Sequence, residues 1–451
     1  MKYDPEPQGA GRELTLPPLI VLPKGTWFNP AIDLRDPEGG ALLEEVLAMI
    51  AAIEDRNRRR RPLDEASHQT RVRKILANGF RCHHYRRPAW VAYSRRSDDY
   101  GNGPSWLNGK AMRRTVDLLT QIGLLHGSLG ELGTSSTYAL TRTLCAMGER
   151  AGITQYSLTA RIPPECLVRL RGEQSRADVG FRDTADTRHW TRLLEAYNSF
   201  LSEQDIGSEL SADEENQWVQ HRNKEYREKK GHDCPPLLRP ERIQTDLYRK
   251  FNNGSFDYGG RLYGGWWITV PKELRRKITI NGQPTIELDY SGCAPRMLYH
   301  ERRIDYRADP YRLEPIAALE QEQGLEPDHF REAIKVMMQA QINGNPDKHP
   351  ELISLPDGLS FHPHFKRSEV QRMIEECHAP IADAFRTGAG LRLQKKDGDL
   401  CLSIITALKD QGIAALPIHD SFIAPAENED QLMEAMNLLY FEQFSLFPLV
   451  K

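Results

Sequence analysis

The stretch that decides the fold is residues 285–292, Thr-Ile-Glu-Leu-Asp-Tyr-Ser-Gly. Ile286 and Leu288 alternate with polar neighbours, which predicts a half-buried β-strand, and the Ser-Gly pair predicts a turn after it. Pro295 suits the first turn of a following helix. Asp289 is therefore expected at the C-terminal end of a strand. Metal-binding carboxylates are common there, but an Asp is also an ordinary cap or turn residue at such a place.

A second segment, residues 414–425, reads Ala-Ala-Leu-Pro-Ile-His-Asp-Ser-Phe-Ile-Ala-Pro. Its two apolar runs flank His419 and Asp420, so we predict a β-hairpin with these two residues at its tip. The pair lacks the Asn-Gly or Asp-Gly chemistry that a two-residue turn prefers, although Asp also tolerates turn conformations. We interpret the pair as functional, because a His-Asp pair between hydrophobic strands needs an interaction partner.

A third segment, residues 327–343, has the period of a helix: Phe330, Ile334 and Met337 fall on one face. An adjacent stripe carries polar residues at every fourth position: Arg331, Lys335, Gln339 and Asn343. Two cations one turn apart can bind the oxygens of a triphosphate. A solvated polar face is the plainer alternative for such a stripe.

The three segments together predict phosphoryl transfer. If strands of one sheet bring Asp289 and Asp420 together, the two carboxylates can hold two Mg²⁺ ions, with Mn²⁺ as the alternative ion. One ion would lower the pKa of a terminal hydroxyl and the other would stabilise charge on a departing pyrophosphate. Arg331 and Lys335 would neutralise the remaining charge of the triphosphate. Positioning of the reactants, and not covalent catalysis, would then account for most of the rate.

These segments resemble three motifs of family A DNA polymerases. Residues 289–291, Asp-Tyr-Ser, followed by Arg296, resemble motif A; Arg331 and Lys335 resemble the start of motif B; and the His-Asp pair at 419–420 resembles motif C. The motifs also follow one another in the family's order. The resemblance implies a right-hand polymerase palm within an α+β protein.

Two further segments extend the resemblance over about residues 245–447. Residues 260–262, Gly-Arg-Leu, resemble the segment that precedes motif A, and residues 309–311, Asp-Pro-Tyr, resemble the short segment between motifs A and B. Only 85 residues separate Lys335 from Asp420, so we expect reduced fingers.

The resemblance assigns roles to individual residues. It implies metal binding by Asp289 and Asp420, triphosphate contacts by Arg331 and Lys335, and a primer-end contact by His419. These are the five expected catalytic residues. It implies nucleotide contacts by five residues: Arg331, Lys335, Gln339, Ala294 and Tyr290. It implies nucleic-acid contacts by Arg261 and Arg296.

Departures from the family leave the choice of sugar open. Ala294 stands where DNA-polymerising members place a glutamate that helps to exclude a ribose 2′-OH, and Gln339 and Asn343 stand where the family has aromatic residues. Ser421 matches the phage-type single-subunit RNA polymerases better than the DNA enzymes. An RNA polymerase or primase with the same palm is therefore an alternative.

The N-terminal half contains the one basic block of the chain, residues 56–114, with 16 Lys and Arg against four acidic residues. Residues 109–123 within and after it predict a helix with one apolar stripe, whose remaining surface carries three cations: Lys110, Arg113 and Arg114. Two short strands around a Gly/Ser-rich loop follow. Residues 67–143 thus resemble a winged helix, a module that usually places a cationic helix in the major groove of DNA. A small subdomain for protein contacts is the alternative.

Composition limits the remaining possibilities. The 60 Lys and Arg nearly balance the 63 Asp and Glu, which excludes a uniformly basic coat. No apolar run is long enough to span a membrane, and seven scattered cysteines favour reduced thiols, so we expect a cytoplasmic protein without a membrane partner.

We therefore predict four regions: an extended or poorly ordered segment over 1–45, a winged-helix-like domain over 46–180, a charged helical connector over 181–240, and a polymerase palm and fingers domain over 241–451. The first functional hypothesis is a template-directed nucleotidyltransferase that extends a primer on DNA with nucleoside triphosphates, as in plasmid or phage replication. A DNA-binding replication initiator or regulator with an inactive palm is the alternative from another class.

Overall fold

The computed structural model describes residues 25–54, 60–95, 106–130, 135–173, 178–230, 235–344, 353–356, 358–361 and 363–451. The chain is a mixed helix and strand protein in which most strand pairs are antiparallel, which agrees with the predicted α+β class. None of the helices in these ranges is long and apolar enough to cross a membrane.

The N-terminal unit combines a long helix with a small sheet. Its strands are β1 (Thr26–Trp27), β2 (Ile32–Leu34), β3 (Val91–Tyr93), β4 (Leu125–Ser128), β5 (Ser136–Leu140) and β6 (Leu158–Ala160). Its helices are α1 (Glu38–Ile53), α2 (Pro62–Tyr85), α3 (Gly109–Gln121) and α4 (Arg142–Arg150). The main sheet has the order β1-β3-β5-β4, and β2 pairs with β6. Of the segment predicted to be extended or poorly ordered, residues 25–45 contain β1, β2 and the start of α1, while 1–24 lie outside the described residues.

Helix α3 forms as its periodicity predicts. Asn108 caps it by accepting a hydrogen bond from the Ala111 N–H at 2.9 Å. Met112, Val116 and Leu119 are buried against the unit's core. The three predicted cations lie on the opposite, exposed surface: Lys110, Arg113 and Arg114. The strands of the predicted hairpin, β4 and β5, also form and pair antiparallel.

Several other cations of the basic block, among the residues that the structure describes, form ion pairs with carboxylates of the fold. Arg73 and Lys74 of α2 both form ion pairs with Asp33 of β2, at 2.7 and 2.9 Å. Arg81 and Arg86 both pair with Glu241, which lies far along the chain. Part of the block's charge therefore stabilises the fold, because distant carboxylates meet it. Arg56, Arg58, Arg59 and Arg96 of the block lie outside the described residues.

The predicted connector, 181–240, is helical, but it also belongs to the C-terminal unit. Its elements are α5 (Ala185–Ser202), β9 (Ile206–Ser208) and α6 (Ala212–Lys230). Leu194, Tyr197 and Leu201 of α5 are buried in the main core, and the Tyr197 hydroxyl donates to the Ala415 carbonyl at 2.5 Å. Strand β9 pairs with a strand of the central sheet. The high overall charge of the segment gave no indication of the apolar face of α5, which packs in the core.

The C-terminal unit surrounds two sheets. Two of its strands precede α5 in the chain: β7 (Val168–Arg171) and β8 (Asp178–Val179). The others are β10 (Leu247–Asn252), β11 (Ser255–Gly264), β12 (Ile278–Ile280), β13 (Gln283–Asp289), β14 (Leu416–Ile418) and β15 (Ser421–Pro425), together with β9. Its helices are α7 (Cys293–Glu301), α8 (Glu314–Glu322), α9 (Arg331–Asn343), α10 (Arg367–Cys377), α11 (Ala389–Asp410) and α12 (Glu429–Phe444). The central sheet has the order β14-β15-β13-β12-β9, and the second has the order β11-β10-β7-β8.

Helix α11 packs unusually closely on β11. A Cβ atom added at Gly398 would lie 2.0 Å from the Gly260 carbonyl oxygen, so only glycine permits this approach. The contact places the middle of α11 beside the residues 260–262 singled out in the sequence. It also brings α11 next to the turn between β14 and β15.

Candidate active site

The central sheet brings the two predicted carboxylates together. Strand β13 pairs antiparallel with β15 in a register that sets Asp289 opposite Ser421, the neighbour of Asp420. The Tyr290 N–H donates to the Asp420 carbonyl at 3.3 Å. Facing residues in such a ladder lie about 5 Å apart, so Asp289 and Asp420 are close neighbours. The strand predicted to end at Asp289 does end there.

The predicted hairpin also forms, with His419 and Asp420 as its two-residue turn. Ile418 pairs with Ser421, and His419 adopts a positive φ of 59°. A non-glycine residue in this region is strained by about 1–3 kcal/mol, a strain often found at functional sites. The Ser421 hydroxyl donates to Glu287 at 2.8 Å and ties the hairpin to β13.

A cavity of about 400 Å³ lies at this edge of the sheet. Its walls come from β13, α7, α9 and α11. Nine residues that the sequence singled out line it: Arg261, Asp289, Tyr290, Ala294, Arg331, Lys335, Gln339, Asn343 and Asp420. The structure therefore brings residues that span 160 positions of the chain, from 261 to 420, into one site. The two carboxylates lie at the edge of the central sheet and the two cations lie on α9.

Acidic neighbours hold the cations of α9 in place. Arg331 forms an ion pair with Asp309 at 2.7 Å, and the hydrogen bond between them raises the pKa of Arg331. Lys335 lies 3.6 Å from Glu332, on its own helix. Tyr311 lies under the Arg331 guanidinium, 5.2 Å from ring centroid to Cζ. Arg331 and Lys335 thus line the cavity one helical turn apart, with Glu332, a shared partner of both, between them in the chain and also in the lining.

The field in the site disfavours charge on Asp289. Burial and then the neighbouring Asp420 raise the pKa of Asp289 to about 6, against the opposing effect of Lys272 and Lys451. Like charges that share a site repel in this way unless a cation lies between them. A divalent cation bound between the two carboxylates would therefore offset their mutual repulsion.

The donor set suits Mg²⁺. This ion prefers oxygen ligands, and proteins usually bind it through one or two carboxylates together with substrate phosphates and water. Asp289 and Asp420 supply that number of carboxylates. Among the described residues, no group of three or more His, Cys, Asp and Glu side chains comes together as a metal cluster.

Asp397 is a site residue that sequence reasoning missed. It lines the cavity from α11, is only 3% exposed, and forms an ion pair with the Arg261 Nε at 2.6 Å. Burial raises the pKa of Asp397 against the opposing effect of Arg261, and Asp420 raises it further. A signal existed, since Asp397 interrupts the buried apolar stripe of α11 between Leu393 and Leu400.

Two lysines were also missed. Lys272 follows β11 in the chain, and Lys451 lies on a segment whose backbone pairs with the end of β13. The Asp289 N–H donates to the Lys451 carbonyl at 2.9 Å, and the Lys451 N–H donates back to the Asp289 carbonyl at 3.1 Å. Neither lysine carries a local sequence pattern that points to the site.

Two of the residues predicted for the C-terminal unit lie outside the cavity lining. Arg296 is 3% exposed and donates to the Ala308 carbonyl at 2.9 Å, so the structure does not bring it to the cavity, and its contact with nucleic acid stays a prediction. It lies on the buried face of α7, where the helix packs on the core. His419 packs its ring edge-on against Tyr263, with 6.2 Å between the centroids. Burial lowers the pKa of His419 and Arg261 adds to the effect, so a neutral ring is favoured there.

Comparison with protein-family models and with curated proteins yields no match to this chain. The chemistry that the site can perform follows from its geometry. Two adjacent carboxylates, of which Asp289 has a raised pKa, line one cavity together with two cations. The cavity has the size of a small-molecule site.

Proposed function

We propose that the protein is a template-directed nucleotidyltransferase with a palm of the family A type. A primer hydroxyl would attack the α-phosphorus of a nucleoside triphosphate, forming the new phosphodiester bond and releasing pyrophosphate. The observation that carries this proposal is the meeting of Asp289 and Asp420 in one cavity with Arg331 and Lys335. A merely structural pair of carboxylates would not require two cations one helical turn apart in the same cavity.

The chain's own side chains would position the reactants. Asp289 and Asp420 would hold divalent ions, which when bound lower the pKa of the attacking hydroxyl and neutralise the departing pyrophosphate. Arg331 and Lys335 would bind the β- and γ-phosphate oxygens, exchanging their present carboxylate partners for the triphosphate. Arg261, fixed by Asp397 beside Asp420, would add positive charge at the floor of the site.

One observation favours ribonucleotides as an alternative substrate. Ala294 lines the cavity at the position where family A DNA polymerases place a gating glutamate. Its methyl group supplies neither bulk nor charge against a 2′-OH. The second candidate function is therefore an RNA polymerase or primase with the same catalytic wall.

The N-terminal unit would bind the duplex. Its helix α3 presents Lys110, Arg113 and Arg114 on an exposed surface, and the hairpin of β4 and β5 follows it directly. The chain order α2, β3, α3, β4, β5, with β3, β5 and β4 adjacent in one sheet, supports the proposed winged-helix arrangement. In that arrangement, cations on the second helix contact phosphates and base edges.

Extension of a labelled primer on a template, with Mg²⁺ and either dNTPs or rNTPs, tests the proposal. Wild-type protein should extend the primer, and Asp289→Asn and Asp420→Asn should each lose at least about 10³-fold in rate, because two-metal catalysis needs both carboxylates. Asp410→Asn, at an exposed residue of α11, is the matched control and should retain activity. Tight duplex binding without extension of any primer would refute the proposal and favour the inactive initiator.

A further inference from the structure

A second cavity, of about 690 Å³, lies between the N-terminal unit and the C-terminal unit. Residues 25–32 form one side, and α6 and the end of β11 form others. Its charged lining consists of one carboxylate, Glu241, and four arginines: Arg81, Arg86, Arg169 and Arg222. The lining is therefore positive overall and suits a ligand with negative charge.

Aromatic rings alternate with these arginines. Arg169 lies over the Tyr248 ring at 3.8 Å from its centroid, and Arg86 and Arg222 both lie over Tyr226, at 5.6 and 5.0 Å. Trp27 contributes a ring that is 58% exposed at the rim. Flat guanidinium groups and rings on one wall are the usual means of holding unpaired bases and the phosphates between them.

The wall also contains buried donors that are not satisfied. Arg86 and Trp266 are each 2% exposed, and neither the Arg86 Nε nor the Trp266 Nε1 has a hydrogen-bond partner among the described residues. A buried donor without a partner costs about 1–3 kcal/mol. Both residues line the cavity, and phosphate or base carbonyl oxygens are acceptors of the kind that these donors lack.

A line of rings connects this cavity to the candidate active site. Tyr248 faces Tyr263 across β10 and β11, with 5.9 Å between stacked rings, and Tyr263 contacts His419 edge-on at 6.2 Å. His419 directly precedes Asp420 at the turn. A chain that leaves the catalytic carboxylates along these rings arrives beside Arg169.

We infer that the interdomain cavity binds the single-stranded nucleic acid that enters or leaves the active site. The inference rests on the proposed function for the direction of the strand, but the binding itself does not require catalysis. A cavity of this volume has the size that encloses a small-molecule ligand, about one or two nucleotides, and is too small for a duplex.

Fluorescence anisotropy of a labelled single-stranded oligonucleotide, without nucleotide or divalent ion, tests the inference. Trp27→Ala and Arg169→Ala should each weaken binding about tenfold, the effect of losing one stacked base or one charge-assisted contact. The matched controls are Tyr156→Ala and Arg150→Ala, at exposed residues outside the cavity lining, which should bind like wild type. Circular dichroism verifies that each variant is folded, and Trp27 is exposed enough to be replaced safely.

Cross-linking separates this inference from the proposed function. A 4-thiothymidine oligonucleotide irradiated on the protein should label residues 25–32 or Tyr248. Such labelling, with binding weakened in Trp27→Ala, supports the cavity even if primer extension fails. Three outcomes would overturn the inference: unchanged binding in both cavity variants, labelling confined to α3, or complete displacement of the oligonucleotide by ATP at the concentrations at which ATP itself binds. Primer extension would remain a separate result in each case.

Discussion

Replacing Asp289 with asparagine should stabilise the fold while abolishing nucleotidyl transfer. Burial, and then Asp420, raise the pKa of Asp289 from 3.8 to about 6. One pKa unit corresponds to about 1.4 kcal/mol, so ionising Asp289 costs the folded state up to about 3 kcal/mol. The side chain is partly accessible, and solvent screening reduces this to about 1–2 kcal/mol. Asparagine keeps the shape of the side chain without the charge.

The sign of the pH dependence follows from the raised pKa. The folded protein binds this proton more tightly than the unfolded chain does, so the cost is nearly absent below the unfolded value near pH 4. It grows as the pH rises and is complete above the folded value near pH 6. The stabilising effect of Asp289→Asn should therefore be largest at pH 8 and should diminish towards pH 4.5.

Urea unfolding of wild type and variant across this pH range measures the difference. Asp410→Asn, at an exposed carboxylate, should leave the unfolding free energy unchanged at every pH. Added Mg²⁺ should reduce the gap at pH 8, because an ion bound to the wild-type pair stabilises the folded state. A variant that is less stable than wild type at pH 8, or a gap that does not depend on pH, would refute the electrostatic account of the pair.

Three further predictions concern the walls of the site and the N-terminal unit. Lys335→Ala should raise the KM for the nucleotide about 10- to 100-fold in steady-state extension, because a charge-assisted contact is lost. The control Arg372→Ala, at an exposed cation of α10, should leave the KM unchanged. A KM of Lys335→Ala equal to that of wild type would contradict the role of Lys335. Ala294→Glu should lower kcat/KM for rNTPs more than for dNTPs, since it adds bulk and charge beside the sugar; an equal loss with both would show that position 294 is no gate. A variant with alanine at three cations should bind duplex DNA with a weaker salt dependence: Lys110, Arg113 and Arg114. The slope of log K against log salt concentration should fall in magnitude by about 2–3. An unchanged slope would remove α3 from the duplex-binding surface.

Local pattern was enough to predict the elements that carry the two carboxylates. The alternation around Leu288 predicted β13, and the apolar runs around residues 419–420 predicted the hairpin of β14 and β15. In both cases the side chains that decide the element are neighbours in sequence. The stripe of α9 was predicted in the same way, and it does face the cavity.

Positions that depend on distant pairing could not be derived from the sequence, even where, as for Asp397, a break in a local pattern marked the residue. Asp397 owes its place to the approach of Gly398 to β11, and Lys451 owes its place to backbone pairing with the end of β13. Arg73 of the basic block meets Asp33, a partner 40 residues away. Charge alone indicates an exposed surface, whereas tertiary contacts decide which cations remain free to bind a ligand.

Anomalous diffraction from crystals soaked with Mn²⁺ and a nucleoside triphosphate tests the central claim most directly. The ion should appear bonded to oxygens of both Asp289 and Asp420, with the triphosphate beside Arg331 and Lys335. An ion at neither carboxylate, or a nucleotide bound away from this wall, would contradict the claim that the two strands build one catalytic metal site.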